Sequence, residues 1–419
     1  MLKLEENELL TRVGPGTPMG NVMRRFWMPA LFSSELPGAD GDPVRVRLLG
    51  EDLIAFRDTN RTVGLMQNNC PHRGASLFFG RNEESGLRCV YHGWKFSTDG
   101  TCVDMPNEPA ESDFKHKVKA TAYTTQEQAG IVWAYMGPHT EVPPLPNLEW
   151  MRAPEGYAWV SKTFQNCNYL QAMEGGLDTS HSSFLHRDFD REGLANPRTR
   201  STAPRLEVLN TDYGYMYASI RHLPEDKQNF VRIYHYVMPF YQLRAGGSHK
   251  TIGNTDGHIW VPIDDHTTWT FNFFCTHGEP LSFEEWQRKE HRAGRGLVED
   301  YTPGTFKLKA NASNDFLLSR ERQRTVNYTG IAGVNTQDFA VQESMGPIYD
   351  RTEEHLGSAD TAIIQMRRLL LDAVRDVAEG RDPIGSRGEG SSVRPAQMYL
   401  PEDASWSDSR LKDALVAQY

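Results

Sequence analysis

The sequence predicts an α+β protein, with a small all-β domain followed by a larger domain in which helices accompany an antiparallel sheet. Three observations carry this reading. Residues 25–138 hold short β-rich runs at 44–49, 53–56, 88–91 and 130–135, separated by turns rich in Gly, Asp and Asn such as Asp99-Gly100. Val142-Pro143-Pro144-Leu145-Pro146 then reads as a linker. Beyond it, runs at 157–166, 213–221, 231–238, 258–261 and 268–274 look like strands, and 169–185 and 359–379 look helical. The expected division is a domain of residues 1–140, including an N-terminal arm, and a domain of residues 141–419.

Each element has a local reason. In the second helix Ile363, Met366, Leu370, Val374 and Val377 recur at three- and four-residue spacing, which makes one face apolar. The strand runs are rich in β-branched and aromatic residues and are short enough for hairpins. No internal repeat or long low-complexity segment interrupts the pattern.

Composition narrows the function. A chain of 419 residues with 38% apolar and 24% charged residues has ordinary globular material for a full core. A formal net charge of −10 without a Lys/Arg-rich run argues against nucleic acid. No apolar stretch has the length of a bilayer span, and the acidic residues 1–11 lack the apolar core of a secretion signal. Five cysteines form an odd, sparse set, which suits a reducing cytoplasm. Cys102, Cys167 and Cys275 are expected to be buried free thiols.

Two segments in the β domain concentrate metal-binding chemistry: Cys70-Pro71-His72-Arg73-Gly74 and Cys89-Val90-Tyr91-His92-Gly93-Trp94. Each offers one thiolate and one imidazole. Cys70, His72, Cys89 and His92 together are the donor set of a Rieske [2Fe–2S] cluster, in which both cysteines hold one iron and both histidines the other. The alternative is a Cys₂His₂ zinc site. Zinc fingers usually keep their cysteines together and their histidines together, whereas here each loop carries one of each.

A second site is signalled by Glu174-Gly175-Gly176-Leu177-Asp178-Thr179-Ser180-His181, with His186 five residues later. A pair of histidines at this spacing is weak evidence, since surface histidines explain it equally well. Asp178 and His181, however, are spaced i, i+3 and would share a helix face, as a carboxylate that orients a ligating imidazole should. His181 and His186 lie about 140° apart on an ideal helix, so they converge only where the helix distorts or ends. Two histidines and one carboxylate on one face of Fe(II) leave positions open for O₂. The carboxylate must come from elsewhere: Asp338 is the first candidate and Glu343 the second, and a solvated acid is the plain alternative for either.

With these motifs, and with Asn168-Tyr169-Leu170-Gln171-Ala172-Met173, Asn314-Asp315-Phe316-Leu317-Leu318 and residues 337–347, the chain resembles the catalytic α subunits of Rieske non-heme iron aromatic-ring oxygenases, in the phthalate-dioxygenase-like branch. The resemblance spans nearly the whole length. It implies a helix-grip catalytic domain, a [2Fe–2S] cluster on Cys70, His72, Cys89 and His92, and mononuclear Fe(II) on His181, His186 and Asp338. It implies that Asp178 bridges His181 to His92 of a neighbouring subunit, which requires a homotrimer or stacked trimers. It also implies a separate NAD(P)H-dependent reductase carrying flavin and an iron–sulfur centre, with or without a ferredoxin. No G-x-G-x-x-G fingerprint stands out in this chain.

The implied reaction is cis-dihydroxylation of an aromatic carboxylate, phthalate- or benzoate-like, with O₂. O-demethylation or monohydroxylation of a substituted aromatic acid uses the same centres and is the alternative. An electron-transfer Rieske protein without oxygenase activity is a remoter one. An anionic substrate calls for a cation: Arg205 and Arg244 are the candidates, with structural ion pairs as the plain alternative for each. Thr179, Ser182 and Ser183 could line the pocket beside His181.

Overall fold

Tight turns shape the N-terminal part of the chain. In a computed structural model that describes residues 2–109, 111–246, 254–295, 298–407 and 414–419, three hairpins turn on pairs of residues that both have positive φ. These are Leu49-Gly50 (48° and 77°), Glu84-Ser85 (49° and 60°) and Ala129-Gly130 (54° and 74°). Such pairs match the right-handed twist of the strands they join. By its contacts the chain forms two compact units, Val13–Leu145 and a larger one of Met1–Arg12 with Pro146–Tyr419. The first twelve residues thus belong with the larger unit.

Ten strands build the smaller unit among the described residues: β1 Trp27–Phe32, β2 Val44–Leu48, β3 Glu51–Arg57, β4 Val63–Gln67, β5 Arg81–Glu83, β6 Gly86–Arg88, β7 Lys95–Phe96, β8 Cys102–Asp104, β9 Ala122–Gln128 and β10 Ile131–Tyr135. A six-stranded sheet runs β1-β10-β9-β4-β3-β2, and a four-stranded one runs β5-β6-β7-β8. All pairs are antiparallel. The strand expected over 88–91 is absent, because β6 stops at Arg88 and the chain turns at Cys89.

The larger unit is built on β11 Ala158–Gln165, β12 Arg205–Asn210, β13 Gly214–Leu223, β14 Gln228–Val237, β15 Tyr241–Gly246, β16 Asn254–Pro262, β17 Thr268–Cys275 and β18 Ala396–Pro401. They form one antiparallel sheet in the order β11-β17-β16-β15-β14-β13-β12, and β18 pairs with the first half of β14. Arg244 lies inside β15. The helix Thr361–Ala378 crosses this sheet, with Tyr215 Oη of β13 donating to Ala362 O at 2.7 Å. Ile363, Met366 and Leu370 are buried as their spacing predicts; Val374 and Val377 are only half-buried. One face of the sheet is strongly polar for an interior: Ser161, Thr163, Gln165, Arg221, Gln242, His258, Thr270 and Asn272 are all buried. That face carries the site. Cys102, Cys167 and Cys275 are buried free thiols as expected. Among the described residues, no helix is long and apolar enough to cross a membrane.

Candidate metal centres

In the smaller unit two loops share one backbone frame. Cys70 N donates to Ala75 O (2.9 Å) and Gly74 N to Cys70 O (2.9 Å); Cys89 N donates to Trp94 O (2.8 Å) and Gly93 N to Cys89 O (3.0 Å). Gly74 and Gly93 close the frames at φ of 75° and 79°, where glycine escapes a Cβ clash. A Cβ on Gly93 would also fall 2.5 Å from Pro106. The frames are equal in length, yet the histidine sits second after Cys70 and third after Cys89. The differing motifs therefore place two imidazoles differently on the same scaffold.

Cys70 and Cys89 are buried among Ile54, Leu77, Leu87 and Phe96. Burial, reinforced by Cys89, pushes the Cys70 thiol up to about 11. The imidazoles of His72 and His92 lie 4.4 Å apart, and His72 stacks on Trp94 at 4.3 Å. His72 Nδ1 and His92 Nδ1 are buried and have no hydrogen-bond partner. A buried nitrogen left unpaired costs about 1–3 kcal/mol. Two of them beside two buried thiols fit a [2Fe–2S] cluster held through those four atoms.

The second constellation lies in the larger unit. The helix Tyr169–Leu177 starts on Asn168, whose side chain accepts from Leu170 N at 3.0 Å, and it ends before Asp178. Asp178 Oδ1 then accepts from Ser180 N (2.7 Å) and Ser180 Oγ (2.8 Å), and its Oδ2 from His181 N (3.2 Å). This side-chain turn opens a short 3₁₀ segment, His181–Ser183. The helix expected over 169–185 is therefore two pieces, because the aspartate takes the amides that would have continued it. Asp178 still reaches His181, with Oδ2 3.3 Å from Nδ1, but through a turn and not along a helix face.

His181 Nε2 lies 3.1 Å from His186 Nε2. Asp338, on the helix Val334–Ser344, brings Oδ1 to 3.2 Å from His186 Nε2 and 3.6 Å from His181 Nε2. His186 Nδ1 is 2.7 Å from Gln337 Oε1, whose amide nitrogen donates to Ile331 O at 3.0 Å. Gln337 Oε1 is thus an acceptor, and so is Asp178, so both Nδ1 atoms carry the proton. Both Nε2 lone pairs then face one another and the Asp338 carboxylate. Three electron-rich atoms at this separation could hold a cation between them, and the donor set suits Fe(II). Burial opposes ionisation of Asp178, but the interaction with His181 and the hydrogen bonds from Ser180 outweigh it and hold its carboxyl down to about 2. Glu343 is not in the group; its carboxylate accepts from Asn166 N at 2.9 Å.

A cavity of about 280 Å³ adjoins the triad. Arg198, Arg232 and Arg244 line it, as do Thr179, His258 and Trp260. Burial, and then repulsion by the neighbouring arginines led by Arg232, lower Arg198 to about 10. Asp256, also in the wall, already pairs with Lys289 at 2.9 Å. Among the described residues none accepts a hydrogen bond from the Arg244 side chain. Gly175 and Gly176 make the enclosure possible: a Cβ on Gly175 would fall 2.0 Å from Gln342, and one on Gly176 2.2 Å from Trp260. Behind the triad Glu174 accepts from Arg351 and Arg367, which fixes the helix from its buried side.

Residues 26–123 match the Rieske [2Fe-2S] domain, and residues 134–414 match the LigXa C-terminal domain like family. The chain is 40% identical to the phthalate 4,5-dioxygenase oxygenase subunit of Pseudomonas putida, over 97% of this chain and 94% of that one. The chain belongs to the Rieske non-heme iron oxygenases. The 3-chlorobenzoate-3,4-dioxygenase oxygenase subunit of Comamonas testosteroni is 39% identical, with 97% of each chain covered. In fold, this Rieske oxygenase resembles NdmA of Pseudomonas putida CBB5 with caffeine, at a TM-score of 0.62 and 20% identity over 93% of this chain and all of that one. The oxygenase and ferredoxin complex of carbazole 1,9a-dioxygenase gives 0.57 and 18%, with 92% and 96% covered.

Within this oxygenase the expected substrate residues divide. Arg244 and Thr179 line the cavity, as does Ser182. Arg205 does not: it stands on β12, two-thirds exposed, and pairs with Glu207. Ser183 is buried behind the cavity, where Arg221 donates to its Oγ at 2.9 Å. Sequence reasoning missed Gln337, Arg198, Arg232 and His258. Gln337 carried a faint signal in being next to Asp338; Arg232 and His258 needed the register of the sheet, and Arg198, on the short helix Pro197–Arg200, needed the tertiary fold.

Proposed function

We propose that this chain is the oxygenase component of a system that cis-dihydroxylates an aromatic carboxylate, with O₂ and electrons from a separate reductase. The observation that carries the reading is three guanidinium groups, Arg198, Arg232 and Arg244, around a cavity that opens on His181, His186 and Asp338. The relatives named for phthalate and 3-chlorobenzoate dioxygenation support it. Atoms balance as one ring, one O₂, two electrons and two protons giving one cis-diol.

When bound, the iron supplies oxygen activation and the cluster supplies single electrons. The protein does the rest. Arg244 offers a planar fork to the substrate carboxylate, and Arg198 adds charge from the facing segment. Trp260 walls the ring side and keeps the cavity narrow. Asp178 and Gln337 hold the Nδ1 protons of His181 and His186, so that each Nε2 stays available. Asp178 also serves as the bridge to His92 of a neighbouring subunit, in a homotrimer or stacked trimers, and a reductase or ferredoxin docks on that assembly.

Single turnover of the reduced protein with benzoate and phthalate, read by product mass, tests the reading. Two added hydroxyls are expected. Loss of a methyl group as formaldehyde from a methoxylated acid, with no diol from any acid, would replace it by O-demethylation. Arg244→Leu should raise KM for the carboxylated ring at least about ten-fold, the loss of a charge-assisted pair. Turnover confined to uncharged rings would sink the carboxylate reading.

A further inference from the structure

His258 stands on β16 in the wall of the cavity and is 3% exposed. Its ring is fixed by what lies behind it. Asn272, its cross-strand partner on β17, brings Oδ1 to 2.8 Å from His258 Nδ1. The orientation of that amide is settled from both ends. Arg295 Nη1, which can only donate, points at Asn272 Oδ1 from 3.2 Å, and Asn272 Nδ2 donates to Ser161 Oγ at 3.1 Å. Ser161 in turn donates to Glu290, which also pairs with Arg295 at 2.9 Å. Asn272 Oδ1 is therefore an acceptor, and His258 Nδ1 must carry the hydrogen. Burial, then the charges of Arg244 and Arg295, push the pKa of His258 well below its usual 6.5 and keep the ring neutral. Its remaining polar atom, Nε2, is a bare lone pair.

That lone pair shares its wall with strong donors. Arg198, Arg232 and Arg244 can only donate, and Asp256 already faces Lys289. Asn335, also in the wall, has its oxygen taken by Arg295 at 2.9 Å and so presents its amide hydrogens. A buried network that runs from Glu290 through Arg295 to Asn272 holds this ring as a neutral acceptor in the wall of a cavity that also carries three guanidinium groups.

We infer that His258 Nε2 accepts a hydrogen bond from the substrate, so that the preferred aromatic acid carries a hydroxyl group besides its carboxylate. The inference rests on the aromatic-acid reading and narrows it. His258 is then a specificity-determining residue: a ring lacking the donor leaves Nε2 unpaired and should bind less well.

The test is binding of benzoate and of the three hydroxybenzoates to the oxidised full-length holoprotein by calorimetry, each hydroxy acid against the fluorobenzoate of the same substitution. Fluorine is close in size to a hydroxyl and cannot donate. At least one hydroxy isomer should bind about ten-fold tighter than its fluoro counterpart, and His258→Phe should bring that ratio close to one. A ratio near one for every pair in the wild type overturns the inference, whether or not the variant folds. So does a ratio that persists in His258→Phe. If benzoate and all six analogues fail to bind, the aromatic-acid reading itself falls, and this inference with it.

Discussion

The four proposed cluster donors sit between Cys70 and His92 on loops closed by matching backbone hydrogen bonds, whereas the proposed iron triad gathers a turn after one helix with a residue of another. The first site is a local object. Its frame is set by Cys, Gly and the residue after Gly, and only the histidine position varies. The second is an assembled one: His186 and its orienting Gln337 are 151 residues apart, and two glycines and a buried carboxylate hold the pieces together. The difference teaches where each site is vulnerable. The cluster should fail by loss of its own ligands, the iron site also by changes in packing well away from the metal.

The sharpest test of that contrast is a reciprocal pair. Cys89→Ser should abolish the visible absorbance of the cluster and all reductase-driven turnover. Asp338→Ala should leave that absorbance intact, remove the mononuclear iron and end turnover equally. Metal analysis should therefore read about two irons per chain in Asp338→Ala against about three in the wild type, by the ligand sets of the two centres. Loss of the cluster in Asp338→Ala would break the claim that the two sites are built independently.

Glu174 probes the assembled site at a distance. It is buried against Arg351 and Arg367, and their charges hold its carboxyl below the ordinary 4.5 although burial opposes this. Glu174→Gln leaves the buried Arg351 without a carboxylate among the described residues and Arg367 with Glu354 alone, and should destabilise the chain by about 3–5 kcal/mol. The sign with pH follows from the depressed value. The unfolded chain takes up its proton first, so the contribution is complete above about pH 4.5 and is lost as pH falls through the lower folded value. The gap between wild type and variant in denaturant titrations should shrink below that pH. A gap that stays constant from pH 7 to 3.5 would show that the charge is not what matters.

The same contrast explains how far the sequence could be read. The gathering of the two loops is legible because their chemistry is contiguous: Cys70, His72, Cys89 and His92 lie within 23 residues, and the turns around them are dictated by Gly74 and Gly93. Most strands of the larger sheet were found from their composition. The helix over 169–185 was overextended, since periodicity does not register that the Asp178 side chain competes for Ser180 N and His181 N. The sequence does not separate Arg205 from Arg232, because nothing in one dimension says which strand face meets the triad, and Arg198, on the short helix Pro197–Arg200, is placed only by the fold. That face follows from register: Tyr234 opposite Arg244, Arg244 opposite Asp256, and His258 opposite Asn272.

Gln337 offers the finest cut, because it touches neither iron nor substrate. Its oxygen receives the Nδ1 proton of His186, and Ile331 O fixes its amide nitrogen. Gln337→Leu keeps the volume and removes the acceptor, so the imidazole is free to rotate or to shift its proton to Nε2. Iron affinity should fall about 10- to 100-fold while cluster absorbance stays unchanged. Turnover should recover when excess ferrous iron is supplied, which separates an orienting role from a catalytic one. Gln337→Glu preserves an oxygen at that place and should bind iron within a few-fold of wild type. If Gln337→Leu holds iron as tightly as the wild type, then His186 is oriented by packing alone, and the assembled site is less dependent on its outer partners than its geometry implies.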